Sequence, residues 1–294
     1  MAEKKMNVLL LIDANSLIHR FFHALPPFTA PNGQPTNALY GLSGVLLKII
    51  REQSPDYIAA AFDRPEKTFR EEEYKEYKAQ RPPTASELVQ QIIIAHEVFG
   101  WFGVKTYEIP GFEADDIVAT LTDKFKTEPD LRVVILSGDL DNLQLVEGEK
   151  VVVQFLKTGV TETVIYDEAA VEKKYGIKPI QLPDYKGFVG DVSDNIPGVA
   201  GIGPKTASAL LKEYETVEKV FEDLAINTNK SIVKKLENKE KIALLSKRLA
   251  TMRRDASVKI ENLGEIKTPP LNKELLKQEF TKLGFKSLVE RLEK

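Results

Sequence analysis

Cysteine is absent from this chain of 294 residues, and only three histidines are present. The lack of cysteine excludes a disulfide framework, a thiolate nucleophile and any zinc site of the cysteine type. Because His19, His23 and His96 alone offer imidazole, a histidine-rich zinc centre is disfavoured as well. Any metal site in this chain is therefore expected to use oxygen ligands.

Long hydrophobic runs are also missing. No segment approaches the roughly 18 consecutive apolar residues of a membrane span, and the first residues lead into a strand pattern and not into a signal peptide. Apolar residues make up 43% and charged residues 29% of the chain, values typical of globular proteins. We therefore expect a cytoplasmic protein with no membrane partner.

A strong excess of positive charge is lacking too, since the net charge is -3, which argues mildly against nucleic acid. The distribution along the chain argues the other way. Residues 229–254 hold nine basic and two acidic residues, so nine minus two gives a net charge of +7. The basic residues are Lys230, Lys234, Lys235, Lys239, Lys241, Lys247, Arg248, Arg253 and Arg254. This stretch is either a solvated helix face or a surface that attracts phosphate.

The first part of the chain alternates between strand and helix patterns. Strands are predicted at 7–13, 57–62, 104–108 and 132–137, and helices at 15–25, 37–53, 84–102 and 113–126. Runs 150–156 and 161–166, parted by Lys157, Thr158 and Gly159, predict an antiparallel hairpin at the sheet edge. This order is typical of an α/β fold with a mainly parallel sheet flanked by helices.

Helical patterns alone follow after about residue 170. They cover 167–175, 205–214, 216–225, 229–252 and 271–291. The change in pattern predicts two parts, an α/β core at 1–172 and a helical subdomain at 173–294.

Acidic residues recur at the ends of the predicted strands and in two short acidic motifs. They are Asp13, Asp63, Glu113, Asp115, Asp116, Asp139, Asp141, Asp191 and Asp194. Helix capping or turn chemistry explains any one pair, such as Glu113 and Asp116 in a first helical turn. It does not explain why the acids share one sheet edge, where doubly wound sheets bind their ligands. The pattern therefore predicts one acidic pocket.

Such a pocket needs cations, because clustered carboxylates repel one another. Oxygen ligands without histidine or cysteine favour a hard cation, Mg²⁺ or Mn²⁺. The acids are too many for one such ion. Two ions about 3.5–4 Å apart would clamp the attacking and leaving oxygens of a phosphoryl displacement. The pocket is thus expected to act on a phosphodiester.

A glycine-rich motif of the helix–hairpin–helix type runs from Ile196 to Leu211. Gly198, Gly201 and Gly203 allow a tight turn close to a ligand. The N–H groups of the helix that follows, with Lys205 and Thr206 beside them, predict a phosphate site that holds a duplex without reading its sequence.

The charged stretch 64–83 permits two interpretations. In the first interpretation, it is a helical excursion whose six basic and five acidic residues are solvated. In the second it is a mobile cover that places Lys78 and Arg81 near a phosphate, with Tyr74 and Tyr77 stacking on bases.

Several motifs together make the chain resemble a known family, that of the 5′-nuclease domains of bacterial DNA polymerase I within the 5′-3′ exonucleases and flap endonucleases. They are Leu-Ile-Asp-Ala-Asn-Ser, Ala-Phe-Asp, Tyr-Lys-Ala-Gln-Arg-Pro, Gly-Phe-Glu-Ala-Asp-Asp, Ser-Gly-Asp-Leu-Asp-Asn, and Gly-Asp-Val-Ser-Asp-Asn-Ile-Pro-Gly with the hairpin. The resemblance implies a PIN-like core, a helical arch at about 64–83 and a helix–three-turn–helix region.

The resemblance also implies an activity and its partners. It implies cleavage of branched or 5′-flap DNA and of DNA/RNA duplex ends with two divalent ions, including RNA primer removal in replication and repair. A potassium ion at the hairpin and a fused or cooperating DNA polymerase belong to the same expectation.

Residue roles follow from the resemblance by matching position. Arg20, Lys78 and Arg81 are expected near the scissile phosphate. The first metal and its surroundings are expected at Asp13, Asp63, Glu113, Asp115, Asp116 and Asp139, and the second at Asp141, Asp191 and Asp194.

Three residues depart from the family pattern. Leu140 stands where a lysine is common, Ala79 where glycine is usual, and Glu71 where histidine is usual. We expect these to affect rate and substrate preference, with Ala79 restricting φ. Two other functions remain open, a non-catalytic binder of DNA junctions and a PIN-class ribonuclease that acts on single strands.

Overall fold

A computed structural model describes residues 6–158, 162–224 and 229–293. Its centre is a six-stranded sheet in the order β3-β2-β1-β4-β5-β6. The strands are β1 Asn7–Asp13, β2 Tyr57–Ala61, β3 Lys105–Tyr107, β4 Leu131–Ser137, β5 Val151–Thr158 and β6 Glu162–Tyr166. All neighbours pair in parallel except β5 and β6, which are antiparallel. The predicted mainly parallel sheet is confirmed, while the predicted turn at Gly159 lies outside the described residues.

Alternate residues of β1 supply two separate cores, because successive side chains of a strand point to opposite faces. Leu9 and Leu11 pack with α5 (Ala114–Phe125) on one face. Leu10 and Ile12 pack on the other face against α1 (Ala14–Ala24), α2 (Asn37–Glu52) and α4 (Ser86–Trp101). A sheet covered on both faces accounts for the unbroken apolar run of β1.

The second half is helical, as predicted. It comprises α6 Glu168–Tyr175, α7 Leu182–Val189, α8 Pro204–Tyr214, α9 Val217–Glu222, α10 Lys230–Leu236, α11 Glu240–Ala250, α12 Lys273–Lys282 and α13 Lys286–Glu293. Position 225, predicted to end a helix, lies outside the described residues. None of the helices in the described part of the chain is both long and apolar enough to cross a membrane.

Two predicted long helices are in fact broken, and one helix was missed. Asn238 at φ 59° separates α10 from α11, and Gly284 at φ 75° separates α12 from α13. A left-handed residue ends a helix, and asparagine and glycine adopt that conformation readily. The pattern missed α7, which contains Pro183 and Gly187.

The C-terminal pair α12–α13 packs on the α/β core. Leu276, Phe280 and Leu288 belong to the same core as α1, α2 and α4. The Tyr40 hydroxyl and the Ser287 hydroxyl share a hydrogen bond of 2.7 Å. The division at 172/173 remains a prediction, and the last two helices pack across it.

Candidate functional site

Three strand ends meet at one edge of the sheet. Asp13 ends β1, Asp63 follows β2, and Asp139 follows β4. Because β1 pairs in parallel with β2 and β4, their carboxyl ends lie side by side. The backbone N–H of Ala114 donates to Asp63 Oδ1 (2.7 Å), which brings the acidic start of α5 to the same edge. We call Asp13, Asp63, Asp115 and Asp139 the strand-end group.

Neutral donors hold the strand-end group. Ser137 Oγ donates to Asp13 Oδ2 (2.7 Å) and accepts from the backbone N–H of Asp139 (2.9 Å). Asn142 Nδ2 donates to Asp115 Oδ1 (2.7 Å) and to Ser137 Oγ (3.2 Å). The sequence patterns assigned no role to Ser137 or Asn142, although these are the first and last residues of the Ser-Gly-Asp-Leu-Asp-Asn motif.

Burial is the largest cause of the raised pKa values of three members of the strand-end group, Asp13, Asp63 and Asp115. It raises the pKa of Asp63 to about 6, with the charge of Glu113 as the next cause. It also raises the pKa of Asp115 well above the ordinary value, and the charges of Asp13 and Asp139 add to this. Each of these carboxylates would gain from a nearby cation.

A second set of acids, which we call the hairpin group, consists of Asp141, Asp191 and Asp194. Lys186 of α7 donates to Asp191 Oδ2 (2.6 Å) and also to Asp141 Oδ1. Burial and the charge of Asp139 still raise the pKa of Asp141 to about 7, against the opposing effect of Lys186. Sequence reasoning missed Lys186, although it lies four residues before the Gly-Asp-Val-Ser-Asp-Asn motif, which begins at Gly190.

The second half of the predicted arch reaches Glu113, at the start of α5, and Asp194 of the hairpin group. Lys78 Nζ lies 3.0 Å from Glu113 Oε2, and Arg81 lies 2.5 Å from Asp194 Oδ1. The backbone N–H of Lys78 also donates to the Asp194 carbonyl (2.9 Å). Lys78 and Arg81 are thus brought to the acidic edge.

Tyr77 is a correction to the expectation of base stacking. Its side chain is 4% exposed, and its ring lies in a small core with Ile196 and Leu249. The hydroxyl donates to Glu113 Oε2 (3.2 Å) and Asp194 Oδ2 (3.1 Å). In this structure Tyr77 joins two acids and offers no face to a base.

The stretch 64–83 is not the helical excursion that one interpretation predicted. Its helix, α3 (Phe69–Glu73), is short, and turns follow it. Gln80 Nε2 donates to the Val192 carbonyl (2.7 Å), and Asn195 Nδ2 donates to the Glu76 carbonyl (2.7 Å). These bonds dock the stretch on the hairpin group.

The three family departures have local explanations. Lys78, at φ 55°, takes the left-handed conformation, whereas Ala79 does not, so the backbone at position 79 does not need a glycine here. Glu71 Oε1 accepts from the backbone N–H of Thr68 (3.4 Å) in the capping box of α3. Leu140 is half-buried and packs against the core that includes α5.

Two residues that the sequence predicted for this site, Asp116 and Arg20, do not lie among the acids of the edge. Asp116 is 0% exposed, and its carboxylate pairs with Arg70 below the edge. The Arg20 guanidinium lies over the Phe155 ring, 5.7 Å from the centroid, and donates to the Lys157 carbonyl. Arg20 therefore flanks the edge from the β5 side.

The glycine-rich hairpin requires glycine at two of its three positions, Gly198 and Gly201. Gly198 has φ 61°, and a Cβ there would lie 2.3 Å from the Gly190 nitrogen. Gly201 has φ 85°, and Lys235 lies 3.8 Å from where its Cβ would stand. Gly203 precedes Pro204, the first residue of α8. Lys205 is exposed and Thr206 half-exposed at this helix start, where backbone N–H groups are free for phosphate.

The basic stretch 229–254 divides into two parts. Lys247, Arg248, Arg253 and Arg254 form ion pairs with acids of the same chain, for example Lys247 with Asp184 (2.7 Å). The exposed lysines are Lys230, Lys234, Lys235, Lys239 and Lys241. The surface available to phosphate is thus smaller than the net charge of +7 implied.

The donor set suits a hard divalent cation. Its oxygens come from carboxylates, among which burial raises the pKa values of Asp13 and Asp115, and the buried Asn142 Oδ1 has no hydrogen-bond partner within the described residues. Over 6–158, 162–224 and 229–293, no three acidic or histidine side chains are already arranged as a metal site. Lys78, Arg81 and Lys186 lie among the acids and supply positive charge there.

Known proteins match the chain over nearly its full length. Residues 8–176 match the N-terminal resolvase-like domain of the 5′-3′ exonucleases, and residues 177–274 match their C-terminal SAM fold. The DNA polymerase I of Caldicellulosiruptor bescii is 43% identical over 97% of this chain. This chain spans about a third (33%) of that polymerase.

A second relative has the same extent as this chain. The 5′-3′ exonuclease of Aquifex aeolicus is 38% identical over 98% of this chain and 96% of its own length. Among solved structures, the T5 D15 flap endonuclease in a pseudo-enzyme–product complex with DNA and metal ions superposes with a TM-score of 0.66. It is 22% identical and covers 83% of this chain and 89% of its own, which supports the fold.

Proposed function

Because the chain belongs to the 5′-3′ exonuclease family, we propose that it hydrolyses phosphodiester bonds near single-strand/duplex junctions. In this proposal it removes nucleotides from 5′ ends and cuts 5′ flaps. Its substrates are branched or flap DNA and DNA/RNA duplex ends, and it works in replication and repair, fused to or beside a DNA polymerase.

One observation carries the proposal. The acidic edge, the two arch cations and the hairpin adjoin one another, since Lys78 contacts Glu113 and Arg81 contacts Asp194 directly before the hairpin. A phosphodiester placed between these elements meets positive side chains on one side and cation ligands on the other. A duplex held at the hairpin fixes how far the cut lies from the junction.

The proposed cofactors are two Mg²⁺ or Mn²⁺ ions. Asp13, Asp115 and Asp139, with Asp63 and Glu113 beside them, would hold one, and the hairpin group would hold the other. Such ions supply Lewis acidity and lower the pKa of an attacking water when bound. Aligned carboxylate donors are what this chain contributes to holding them.

The arch residues position the phosphate in the proposed mechanism. Lys78 and Arg81 exchange their contacts with Glu113 and Asp194 for contacts with phosphate oxygens, which keeps the reacting ester in line. Tyr77 keeps those two acids in place through its hydroxyl. The N–H groups of α8 hold a backbone phosphate of the duplex without reading its sequence.

The test compares labelled substrates in Mg²⁺ and in EDTA. We expect cleavage of a 5′ flap near its junction in Mg²⁺, much weaker action on blunt duplex or unstructured strand, and none in EDTA. A flap that is bound and left whole would favour a non-catalytic junction binder. Equal cleavage of unstructured RNA with no need of a duplex would favour a PIN-class ribonuclease.

A further inference from the structure

Asp116 differs from the other predicted ligands because its carboxylate is already saturated. Oδ1 accepts from Arg70 (2.8 Å) and from the backbone N–H of Arg253 (2.8 Å). Oδ2 accepts from Arg70 (2.8 Å) and from the backbone N–H of Glu113 (3.1 Å). A carboxylate offers about four acceptor positions, so these bonds leave none for a metal ion.

Arg70 is equally committed. Its side chain is 3% exposed, and besides both Asp116 oxygens it binds two backbone carbonyls at the end of α11. Nε donates to the Leu249 carbonyl (2.9 Å), and the terminal nitrogen that binds Oδ1 also donates to the Thr251 carbonyl (3.1 Å). Glu113 Oε2 lies 3.6 Å from the other terminal nitrogen. The guanidinium fork therefore joins α3, α5 and α11.

Further contacts strengthen the same junction. The Arg253 guanidinium lies between the Phe69 and Phe112 rings, 5.1 Å and 4.7 Å from their centroids. Arg248 of α11 pairs with Glu73 of α3 (2.6 Å). The start of the arch is thus held against α11 and against α5, whose first turn carries Asp115 and whose N-cap is Glu113.

We propose that Arg70 is a positioning residue and Asp116 its anchor, and that this pair, without binding a metal, aligns Glu113 and Asp115 with the arch and α11. The inference rests on the proposed function and deepens it. The pair fixes the start of α5 relative to α11, and this start carries two of the carboxylates proposed to hold a metal ion, Glu113 and Asp115. Loss of either partner leaves the other as an unpaired buried charge. An unpaired Arg70 would attract the nearby carboxylate of Glu113 and displace it.

A double-substitution cycle tests the proposal, because apolar residues can replace a buried ion pair that single changes disrupt. We would compare Arg70→Met, Asp116→Leu, the double variant and Arg70→Lys. The readouts are the single-turnover rate on a 5′ flap, Mn²⁺ binding by calorimetry and the folded fraction by circular dichroism. Lys126→Met, which removes the surface pair with Glu147 (2.8 Å) at the other end of α5, is the matched control.

Each single change should lower the rate per folded molecule by about 100-fold, the scale expected for a misplaced catalytic group. The double variant should recover to within about tenfold of wild type and bind Mn²⁺ as wild type does, while Arg70→Lys falls between. The control should match wild type.

A double variant as inactive as Asp116→Leu, with Mn²⁺ binding lost, would show that Asp116 is a ligand and overturn the proposal. Wild-type rates per folded molecule in the single variants would overturn it as well, since the pair would then only stabilise the fold. If the wild-type protein cuts no flap, the proposed function fails, and the Mn²⁺ binding of the double variant still decides the role of Asp116.

Discussion

The strand-end group and the hairpin group neutralise their acids in different ways. Hydroxyl and amide groups hold the first, through Ser137 and Asn142, and burial raises the pKa values of Asp13, Asp63 and Asp115. Lysine and arginine hold the second, where Lys186 lowers the pKa of Asp191 although burial opposes it. The strand-end group therefore depends on bound metal ions for positive charge. The hairpin group is already paired with Lys186 and Arg81, so a metal ion that binds there must displace these side chains.

The largest expected effect comes from neutralising one carboxylate in each group and comparing the loss of cleavage. Asp13→Asn should lower flap cleavage by about 1,000-fold or more, because within the described residues no lysine or arginine forms an ion pair with the strand-end carboxylates that could replace a lost metal contact. Asp191→Asn should lower it less, by about 100-fold, since Lys186 and Asp141 remain. Single-turnover rates in Mg²⁺ provide the measurement, with flap affinity in Ca²⁺ as the control. Equal losses in both variants would contradict the distinction.

The next effect concerns the neutral donors. Asn142→Leu removes the amide that holds Asp115 and Ser137, so the rate should fall by about 10-fold to 100-fold, as for other residues that orient metal ligands. The Mg²⁺ concentration for half-maximal rate should rise in parallel. Leu140→Met on the same turn should change neither quantity. An unaltered Mg²⁺ requirement in Asn142→Leu would argue against the role of this amide.

These residues show how far the sequence could lead. An acidic residue ends or follows each of three predicted strands, and the carboxyl ends of parallel strands lie together. The sequence therefore predicted Asp13, Asp63 and Asp139 at one edge of the sheet. Arg70 and Lys186 escaped notice because their partners are distant in the chain, Asp116 in one case and Asp141 in the other. Only tertiary packing brings such charges together.

The same limit explains the errors in detail. Apolar periodicity predicted one helix over 229–252, yet a single left-handed residue, Asn238, divides it. Tyr77 looked like a stacking residue because its neighbours are charged, but it packs with Leu249, far away in sequence. The net charge of +7 included Lys247 and Arg254, although each pairs with an acid elsewhere in the fold.

The third prediction addresses stability and the internal cation. Lys186→Met leaves Asp141 and Asp191 facing each other without a counter-charge, so the melting temperature in EDTA should fall by about 5 °C or more. Mn²⁺ should restore most of this loss by taking the place of the ammonium group. Thermal unfolding with and without Mn²⁺ measures both effects. A loss that Mn²⁺ leaves untouched would mean that the hairpin group does not take a cation there.

The smallest expected effect is a pH dependence of the metal-free protein. Asp63 and Asp141 have folded pKa values of about 6 and about 7 against an ordinary value of 3.8, so the folded state binds more protons in this window. Their contribution to stability is present at low pH and is lost as the pH rises from about 4 to 7. Mg²⁺ should therefore raise the melting temperature more at pH 8 than at pH 5.5. A larger rise at pH 5.5 would reverse the sign and contradict the account.

The central claim is that each group binds one divalent ion next to the phosphodiester of the bound substrate. The most direct test is the single-turnover rate on a labelled 5′ flap as Mg²⁺ rises from well below saturation. We predict cleavage at the junction, with a logarithmic slope of about two against Mg²⁺ concentration, one ion for each group. An intact flap at every Mg²⁺ concentration, or a slope of one, would contradict it.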